Sequence, residues 1–369
     1  MDKSAKIVLG TIWGDEGKGK MVNSLSNSSP NPIVIRFSGG QQAGHCVIEN
    51  NIKHVFSSYG AGTIHGIETY LTEDCTFYLP SILIENKVLK EKNVYVPKLK
   101  INPLAKVTTP YDVAYNRLVS GKGSTCGLGV GATMKRHLET PYKLHAIDVK
   151  YPSILNAKLE EIRNYYEDKI VAESKYFIRD FRKLYQDELN MFNFILSDVL
   201  SFVDIIPYSY LEEFSTLIFE GSQGILLDMD FGFFPHVTFS NTTSLNAIKI
   251  CKQLAIEDIE TFYISRCYLT RHGRGWMSNE SLESKLKNNE EEINVYNTYQ
   301  GEFRVGTFDY DLLNYAIEVD RIYNPDSKMN LVINCLDQLD DFRLDESKLK
   351  FEFNKILLGN SPNTFINNL

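Results

Sequence analysis

The sequence predicts an α/β fold: a P-loop-like, open and mostly parallel central sheet with helices on both faces and elaborated loops. Three observations predict it. The apolar run Lys6-Ile-Val-Leu-Gly10 enters a glycine-rich turn, residues 18–27 then read as helix, and Pro32-Ile-Val-Ile-Arg-Phe37 reads as a second buried strand, which together make one βαβ unit. Two later apolar runs, Leu217-Ile-Phe-Glu-Gly221 and Leu331-Val-Ile-Asn-Cys335-Leu-Asp337, end in polar or glycine residues, and Phe262-Tyr-Ile-Ser265 precedes a similar junction at Thr270-Arg-His-Gly273. Open parallel sheets gather ligands at the carboxyl ends of their strands, so these junctions are where chemistry is expected. Between about 156 and 203 the chain has almost no Gly or Pro. Tyr165, Tyr166, Ile170, Val171, Tyr176, Phe177 and Phe181 recur there at helical spacing, which predicts one or two amphipathic helices covering the sheet or a partner subunit. Ser281 to Asn294 reads as an exposed loop or short helix. With no repeat and no low-complexity linker, the chain reads as one elaborated domain over 1–369, with a helical insertion at roughly 153–205.

Composition narrows the class. The 369 residues are 43% hydrophobic and 23% charged, which excludes disorder and fibrous folds. Lys+Arg number 39 against Asp+Glu 47, a net charge of −8, so direct nucleic-acid binding is not expected, whereas small anionic substrates are allowed. The six cysteines show no metal-ligand or disulfide spacing and read as reduced thiols. No apolar run approaches the roughly 20 residues of a membrane span, and the charged start lacks a signal-peptide core, so the expected location is the cytoplasm, without membrane contact.

Gly14-Asp-Glu-Gly-Lys-Gly19-Lys20 satisfies G-x-x-x-x-G-K between a strand and a helix, the context in which backbone N–H groups cradle phosphate. Met21 stands where a P-loop carries its Mg²⁺-binding hydroxyl. The metal then needs another hard ligand, and Asp15 inside the loop is the nearest carboxylate. A glycine turn serving backbone geometry alone is the plainer alternative, but two lysines among three glycines repel one another without an anion. Ser38-Gly-Gly-Gln-Gln-Ala-Gly-His45 follows the second strand. It offers glycines for close approach, two amides, and a histidine, His45, that taken alone is more often structural than catalytic.

Gly10-Thr-Ile-Trp-Gly-Asp-Glu-Gly-Lys-Gly-Lys20 resembles the signature of adenylosuccinate synthetases, and Gly39-Gly-Gln-Gln-Ala-Gly-His45 resembles their second signature. The resemblance continues in order through Ser124-Thr125, Glu220-Gly-Ser-Gln-Gly-Ile-Leu-Leu-Asp228, Pro235-His-Val-Thr238, Thr270-Arg-His-Gly273, Arg304-Val-Gly306, Leu336-Asp337 and Gly359-Asn-Ser-Pro362. It implies a GTP-dependent ligase that phosphorylates O6 of a purine nucleoside monophosphate and displaces the phosphate with L-aspartate. Asp15, His45 and Lys18 would be catalytic. Gly14, Glu16, Gly17, Lys18, Gly19, Lys20, Asp337 and Pro362 would hold GTP. Asp15, Gln42, Ser124, Thr125, Gln223 and Thr238 would hold the monophosphate, Arg304 and Arg271 the aspartate, and Asp15 with the Gly44 carbonyl would bind Mg²⁺. The resemblance also implies a homodimer. On residue type alone, Thr125 and Thr238 also suit ordinary turns, and Asp337 a helix cap.

The pattern departs from the family in places. Cys335 replaces a lysine two residues before Asp337, and Cys46 replaces a threonine after His45. The aspartate-binding segment shrinks to Tyr299-Gln-Gly-Glu-Phe-Arg304-Val-Gly306, where only Arg304 offers a carboxylate fork, with Arg271 and Arg274 as the nearest helpers. Arg136 or Lys135 is the expected stand-in for the arginine that reaches across the family's dimer interface. The trimmed form resembles archaeal members and, more closely, a phage branch that adds aspartate to dGMP. Fewer arginines near the ribose suit a 2′-deoxy sugar, so dGMP is the expected acceptor and IMP the alternative. A GTP-binding regulatory module without ligase chemistry would need the glycine loop and Asp337 but leaves His45, Gln223 and Thr238 without a task.

Overall fold

The computed structural model describes residues 3–120, 125–173, 176–196, 198–280, 286–287 and 301–361, and the backbone of 366–368. Most of the stretch from Ser281 to Asn294, read above as a loop or short helix, lies outside these residues. Ten strands form one sheet in the order Ile366–Asn368, Lys355–Leu358, Lys328–Asn334, Asp258–Arg266, Ser4–Gly10, Thr216–Gly224, Pro32–Arg36, Thr69–Leu71, Leu99–Ile101, Val203–Ile205. All neighbours are parallel except Lys355–Leu358 and Ile366–Asn368.

A parallel sheet must be covered on both faces, and the alternation of side chains shows how this one is. Ile7 and Leu9 join Ile33, Ile35, Leu217, Phe219, Tyr263 and Leu331 in one core, whereas Val8 joins Val34, Ile218, Phe262, Ile264 and Val332 in the other. Helices Leu245–Gln253 and Tyr310–Arg321 bury their apolar stripes against the first core. Helices Lys18–Ser28, Leu79–Glu91 and Pro110–Val119 cover the second. The predicted α/β class, with its mostly parallel sheet and helices on both faces, is the fold observed.

The long aromatic stretch forms two helices, Pro152–Glu173 and Ile178–Leu196, packed on the second core through Tyr166, Ile170, Phe181 and Phe192. Two residues of the expected stripe face outward: Val171 and Phe177 are exposed, because each directly follows or precedes a turn position that already faces the core. The stretch also ends differently from the helical insertion expected over 153–205. Val203–Ile205 is an edge strand, paired with Leu99–Ile101, so its last residues belong to the sheet.

Arg136 does not reach outward to a partner subunit. Its side chain is fully buried, and its guanidinium meets Asp112 through Nε–Oδ1 (2.9 Å) and Nη2–Oδ2 (2.8 Å) while donating to the carbonyls of Tyr142 and Val107. A fixed planar fork matched to a buried carboxylate is the reason an arginine stands there. Lys135, the other candidate, is half-exposed beside Glu139. Among the described residues, no helix is long and apolar enough to cross a membrane.

Candidate functional site

The carboxyl ends of the central strands open into one cleft of about 630 Å³. Gly14, Asp15, Glu16, Gly17, Lys18, Gly19, Lys20, Gln42, Gly44, His45, Thr125, Gln223, Thr238, Arg271 and Asp337 all line it. The sheet thus brings together residues spread over most of the chain. Arg304 is not among the described residues that line the cleft, and Ser124 and Pro362 lie outside the described residues.

The glycine loop turns through left-handed backbone at Gly14 (φ 98°), Asp15 (φ 57°) and Gly17 (φ 89°), and the helix Lys18–Ser28 begins directly after it. Gly17, the N-cap of that helix, has no side chain to cap it, and Gly17, Lys18, Gly19 and Lys20 all line the cleft, so the helix N-terminus is placed to meet an anion. Only glycine fits at 17: besides its positive φ, a β-carbon would come 2.7 Å from Nδ2 of Asn334, which donates to the Glu16 carbonyl at 2.8 Å. Lys20 reaches across to the Ser361 carbonyl (2.7 Å), and burial lowers its proton affinity to about 8 against the pull of Cys335 and Asp337. Burial likewise lowers that of Lys18, against the carboxylates of Glu16, Asp15 and Glu220.

Glu16 is wholly buried. Its Oε1 accepts from the Ile12 N–H (2.6 Å) and the Thr11 hydroxyl (3.3 Å), and its Oε2 has no hydrogen-bond partner among the described residues. Burial pushes its carboxyl up to about 7, although Lys18 and these bonds pull it down. Since an ordinary glutamate titrates at 4.5, the folded chain holds this proton more tightly than the unfolded chain. The resulting stabilisation is complete below pH 4.5 and is lost as pH rises through 7. The ligand-free protein is expected to lose about 3 kcal/mol from this group across that window. Denaturant titrations at several pH values measure it, and Glu16→Gln is expected to flatten the slope.

Asp15 carries the loop's chemistry. Burial alone would raise its carboxyl. The contact from His272 Nε2 to Oδ2 (3.3 Å), with the charges of His272, Arg266 and Lys18, outweighs burial and holds it below the usual carboxylate range. The anion is therefore the resting form, able to accept a proton or to ligate a cation. Asp15 and Gly44 line the same cleft, and a carboxylate and a peptide carbonyl are the hard oxygen donors that Mg²⁺ takes when substrate phosphates complete its shell. Among the described residues no three His, Cys, Asp or Glu side chains form a metal cage.

Beside the glycine loop, where Gly19 packs against His45 and Cys46, Arg36 ties down the second loop by donating to the carbonyls of Ser57, Tyr59, Gly40 and Ala43. His45 at the end of that loop bonds through Nδ1 to Oε1 of Glu220 at 2.6 Å, both side chains buried. Burial would raise the Glu220 carboxyl, but His45, Arg36 and the Ala61 N–H keep it below its ordinary range. Burial also pushes the His45 imidazole down despite Glu220. The pair is thus a neutral imidazole oriented by a carboxylate, with Nε2 left for a ligand.

In the same cleft, buried polar atoms have no hydrogen-bond partner among the described residues: Nε2 and Oε1 of Gln42, and Oε1 of Gln223. Thr125 donates to Asn116 Oδ1 (3.3 Å) and accepts from the Gly127 N–H (3.1 Å). Asp337 sits in the 3₁₀ turn Leu336–Gln338 and accepts from Gln338 Nε2 at 2.7 Å. Arg271 lies 4.9 Å over the Trp13 ring and donates to the carbonyls of Arg274, Trp276 and His236. Arg304 donates to the carbonyls of Gly273 and Gly275 and pairs with Glu280. In this arrangement both arginines expected to hold aspartate are engaged by the protein itself.

Three residues of the site carried no role in the sequence reading. Glu220 had a signal, since a carboxylate ending the buried run Leu217-Ile-Phe requires a buried partner. Arg266 had a similar one, a charge ending the run Phe262-Tyr-Ile-Ser. His272 lies inside a motif already noted, but its contact with Asp15 crosses a distance that no local pattern reveals.

Comparison with known proteins shows the family and the fold. The model of the adenylosuccinate synthetase family matches residues 7–355. The adenylosuccinate synthetase of Aquifex aeolicus is 30% identical over 354 residues, 93% of this chain and 78% of that protein. That of Buchnera aphidicola is 29% identical over 350 residues, covering 91% and 78%. Two solved structures share the fold. Adenylosuccinate synthetase from Plasmodium falciparum, fully ligated, superposes with a TM-score of 0.66 at 22% identity, over 89% of this chain and 76% of that one. Cyanophage S-2L succinoaminodeoxyadenylate synthetase (PurZ), bound to dGMP and to dATP as an energy donor, superposes with a TM-score of 0.67 at 15% identity, over 100% and 96%. With the family's match running from the first strand of the sheet to Lys355, the chain belongs to the adenylosuccinate synthetase family of carbon–nitrogen ligases.

Proposed function

We propose that this ligase joins L-aspartate to C6 of a 6-oxopurine nucleoside monophosphate, with GTP as phosphoryl donor, and that its acceptor is dGMP, giving 2-amino-2′-deoxy-N6-succinyl-AMP. The observation that carries the reading is the set of amide atoms on Gln42 and Gln223 that have no partner among the described residues, in the cleft that the uncapped helix N-terminus and His45 also line. Buried amides without partners are costly, and a base edge and a phosphate would satisfy them. The bound state would include Mg²⁺, held by Asp15 and the Gly44 carbonyl, which would neutralise charge on the transferring phosphoryl.

The residues then divide the work. Asp15, an anion at rest, takes the proton from N1, so O6 attacks the γ-phosphorus and GDP leaves. Lys18, Lys20 and the N–H groups of the first helical turn hold and neutralise the phosphates. The amine of aspartate next attacks C6, and the C6–O bond breaks with loss of inorganic phosphate. His45 Nε2 stands at that oxygen. As negative charge gathers there the imidazole takes up a proton from solvent, Glu220 behind it stabilises the cation, and Nε2–H passes that proton to the leaving phosphate oxygen. Glu220→Gln keeps the bond to Nδ1 but removes the charge. It is expected to lower kcat by roughly 10- to 100-fold with little change in any KM, as read by steady-state assay.

For the acceptor, the single arginine of the shortened segment supports a 2′-deoxy sugar, and so does the cyanophage neighbour, whose length this chain nearly matches and which binds dGMP. IMP is the second reading, supported by the chain's membership of the adenylosuccinate synthetase family. Side-by-side assays with IMP, GMP and dGMP decide between them, and turnover of IMP alone would overturn the assignment to dGMP. Asp337, suited to guanine N1–H and N2–H₂, supports GTP as donor. The proposal includes a cytoplasmic homodimer, to which the exposed Phe177 and Phe194 of the helical pair lend support.

A further inference from the structure

Asp15 is the only non-glycine residue of its loop with a positive φ (57°), flanked by Gly14 and Gly17 that adopt such angles freely. Aspartate enters this region more readily than most residues, and contacts from outside the loop fix it there. Arg266, the last residue of the neighbouring strand Asp258–Arg266, donates from Nε to the Asp15 carbonyl. Its own plane is fixed. Nη1 donates to the Tyr268 hydroxyl at 2.7 Å, and the guanidinium lies over the rings of Tyr268 (5.4 Å) and Phe303 (5.9 Å). Tyr268 and Phe303 belong to an antiparallel ribbon, Tyr268–His272 with Phe303–Thr307, whose register sets His272 opposite Phe303 and Arg271 opposite Arg304. From the same ribbon, His272 Nε2 lies 3.3 Å from Asp15 Oδ2. One ribbon therefore grips both the backbone and the carboxylate of Asp15.

We propose that Arg266 is a positioning residue, which holds Asp15 in the left-handed conformation that aims its carboxylate at the acceptor base, with Tyr268 fixing the arginine in turn. This rests on the reading of Asp15 as the group that takes the N1 proton. Lining the cleft, Arg266 has an obvious rival task, direct binding of a phosphate, and the two roles separate kinetically. A phosphate ligand acts first on the KM for GTP. A clamp on the base acts on kcat and leaves the three KM values alone, because misplacing a reacting group by about 1 Å costs on the order of 100-fold in rate without removing a ligand contact.

The test uses the full chain as Arg266→Ala, Tyr268→Phe and the double variant, each assayed for kcat and for the KM of GTP, monophosphate and aspartate. Hydrogen exchange is read at residues 13–17 without ligands. Arg266→Ala is expected to lower kcat about 100-fold with each KM within about threefold, and to raise exchange in the loop about tenfold. Tyr268→Phe is expected to lower kcat about five- to tenfold, and to add nothing in the Arg266→Ala background, because the two act as one unit. Unchanged kcat and exchange in both single variants, or a loss confined to the KM for GTP, would overturn the proposal. Should Arg266→Ala not fold, Tyr268→Phe decides by the same readouts. If the wild type itself shows no aspartate-dependent turnover, the reading of function fails, and exchange at residues 13–17 still judges the clamp.

Discussion

Asp15→Asn is expected to lower turnover by about 10³-fold while leaving the fold nearly intact. An amide cannot take the N1 proton, so O6 would have to attack as a neutral carbonyl oxygen, and general-base assistance of this kind is worth roughly 10²–10⁴. The amide retains an oxygen for His272, and the main-chain bond from Arg266 is untouched, so the loop should keep its shape. Steady-state kinetics with a parallel thermal melt measures both halves of the statement. A melt lowered by many degrees would mean that the carboxylate is structural; an unchanged kcat would mean that the base lies elsewhere.

Arg136→Ala should have the largest effect on stability. It strips the partner from Asp112, a carboxylate with no solvent access that burial would raise and that Arg136, Tyr166 and the Thr109 N–H hold below its ordinary range. Breaking one side of a buried pair leaves an uncompensated charge, so about 3–5 kcal/mol should be lost. Replacing both partners, as Asp112→Asn with Arg136→Met, is expected to recover roughly half of that, since no charge then remains buried alone. Denaturant unfolding reads both values. The position also affects the site. Asp112 caps the helix Pro110–Val119, and Asn116 on that helix holds Thr125, so the same variant should weaken monophosphate binding even where the protein stays folded.

What was legible in the sequence was whatever short-range pattern determines. The apolar runs ending in Gly10, Arg36 and Asn334 reveal parallel strands because both faces of such strands are buried, and the glycine loop shows its anion-binding geometry through residues whose spacing is fixed by the turn. Contacts across the sheet were not legible. His45 and Glu220 stand 175 positions apart, and only the placement of Thr216–Gly224 beside Pro32–Arg36 brings them together. Arg136 misled because exposed and buried arginines look alike until a buried carboxylate appears, and Asp112 reads in isolation as an ordinary helix cap. Val203–Ile205 was absorbed into the preceding helices because three residues are too few to show a period of two. Arg271 and Arg304 illustrate a further gap: residue type suggests a fork for substrate, whereas peptide carbonyls and Glu280 already occupy their donors. Aspartate capture by Arg304 therefore has to displace an internal ion pair.

The most direct measurement is release of phosphate from GTP by the wild-type protein with dGMP and Mg²⁺, with and without L-aspartate, alongside mass spectrometry of the nucleotide. Phosphate should appear in step with a succinylated purine monophosphate, one for one, and only when aspartate is present. GTP hydrolysis that proceeds equally without aspartate, and leaves the monophosphate unchanged with dGMP and IMP alike, would contradict the account.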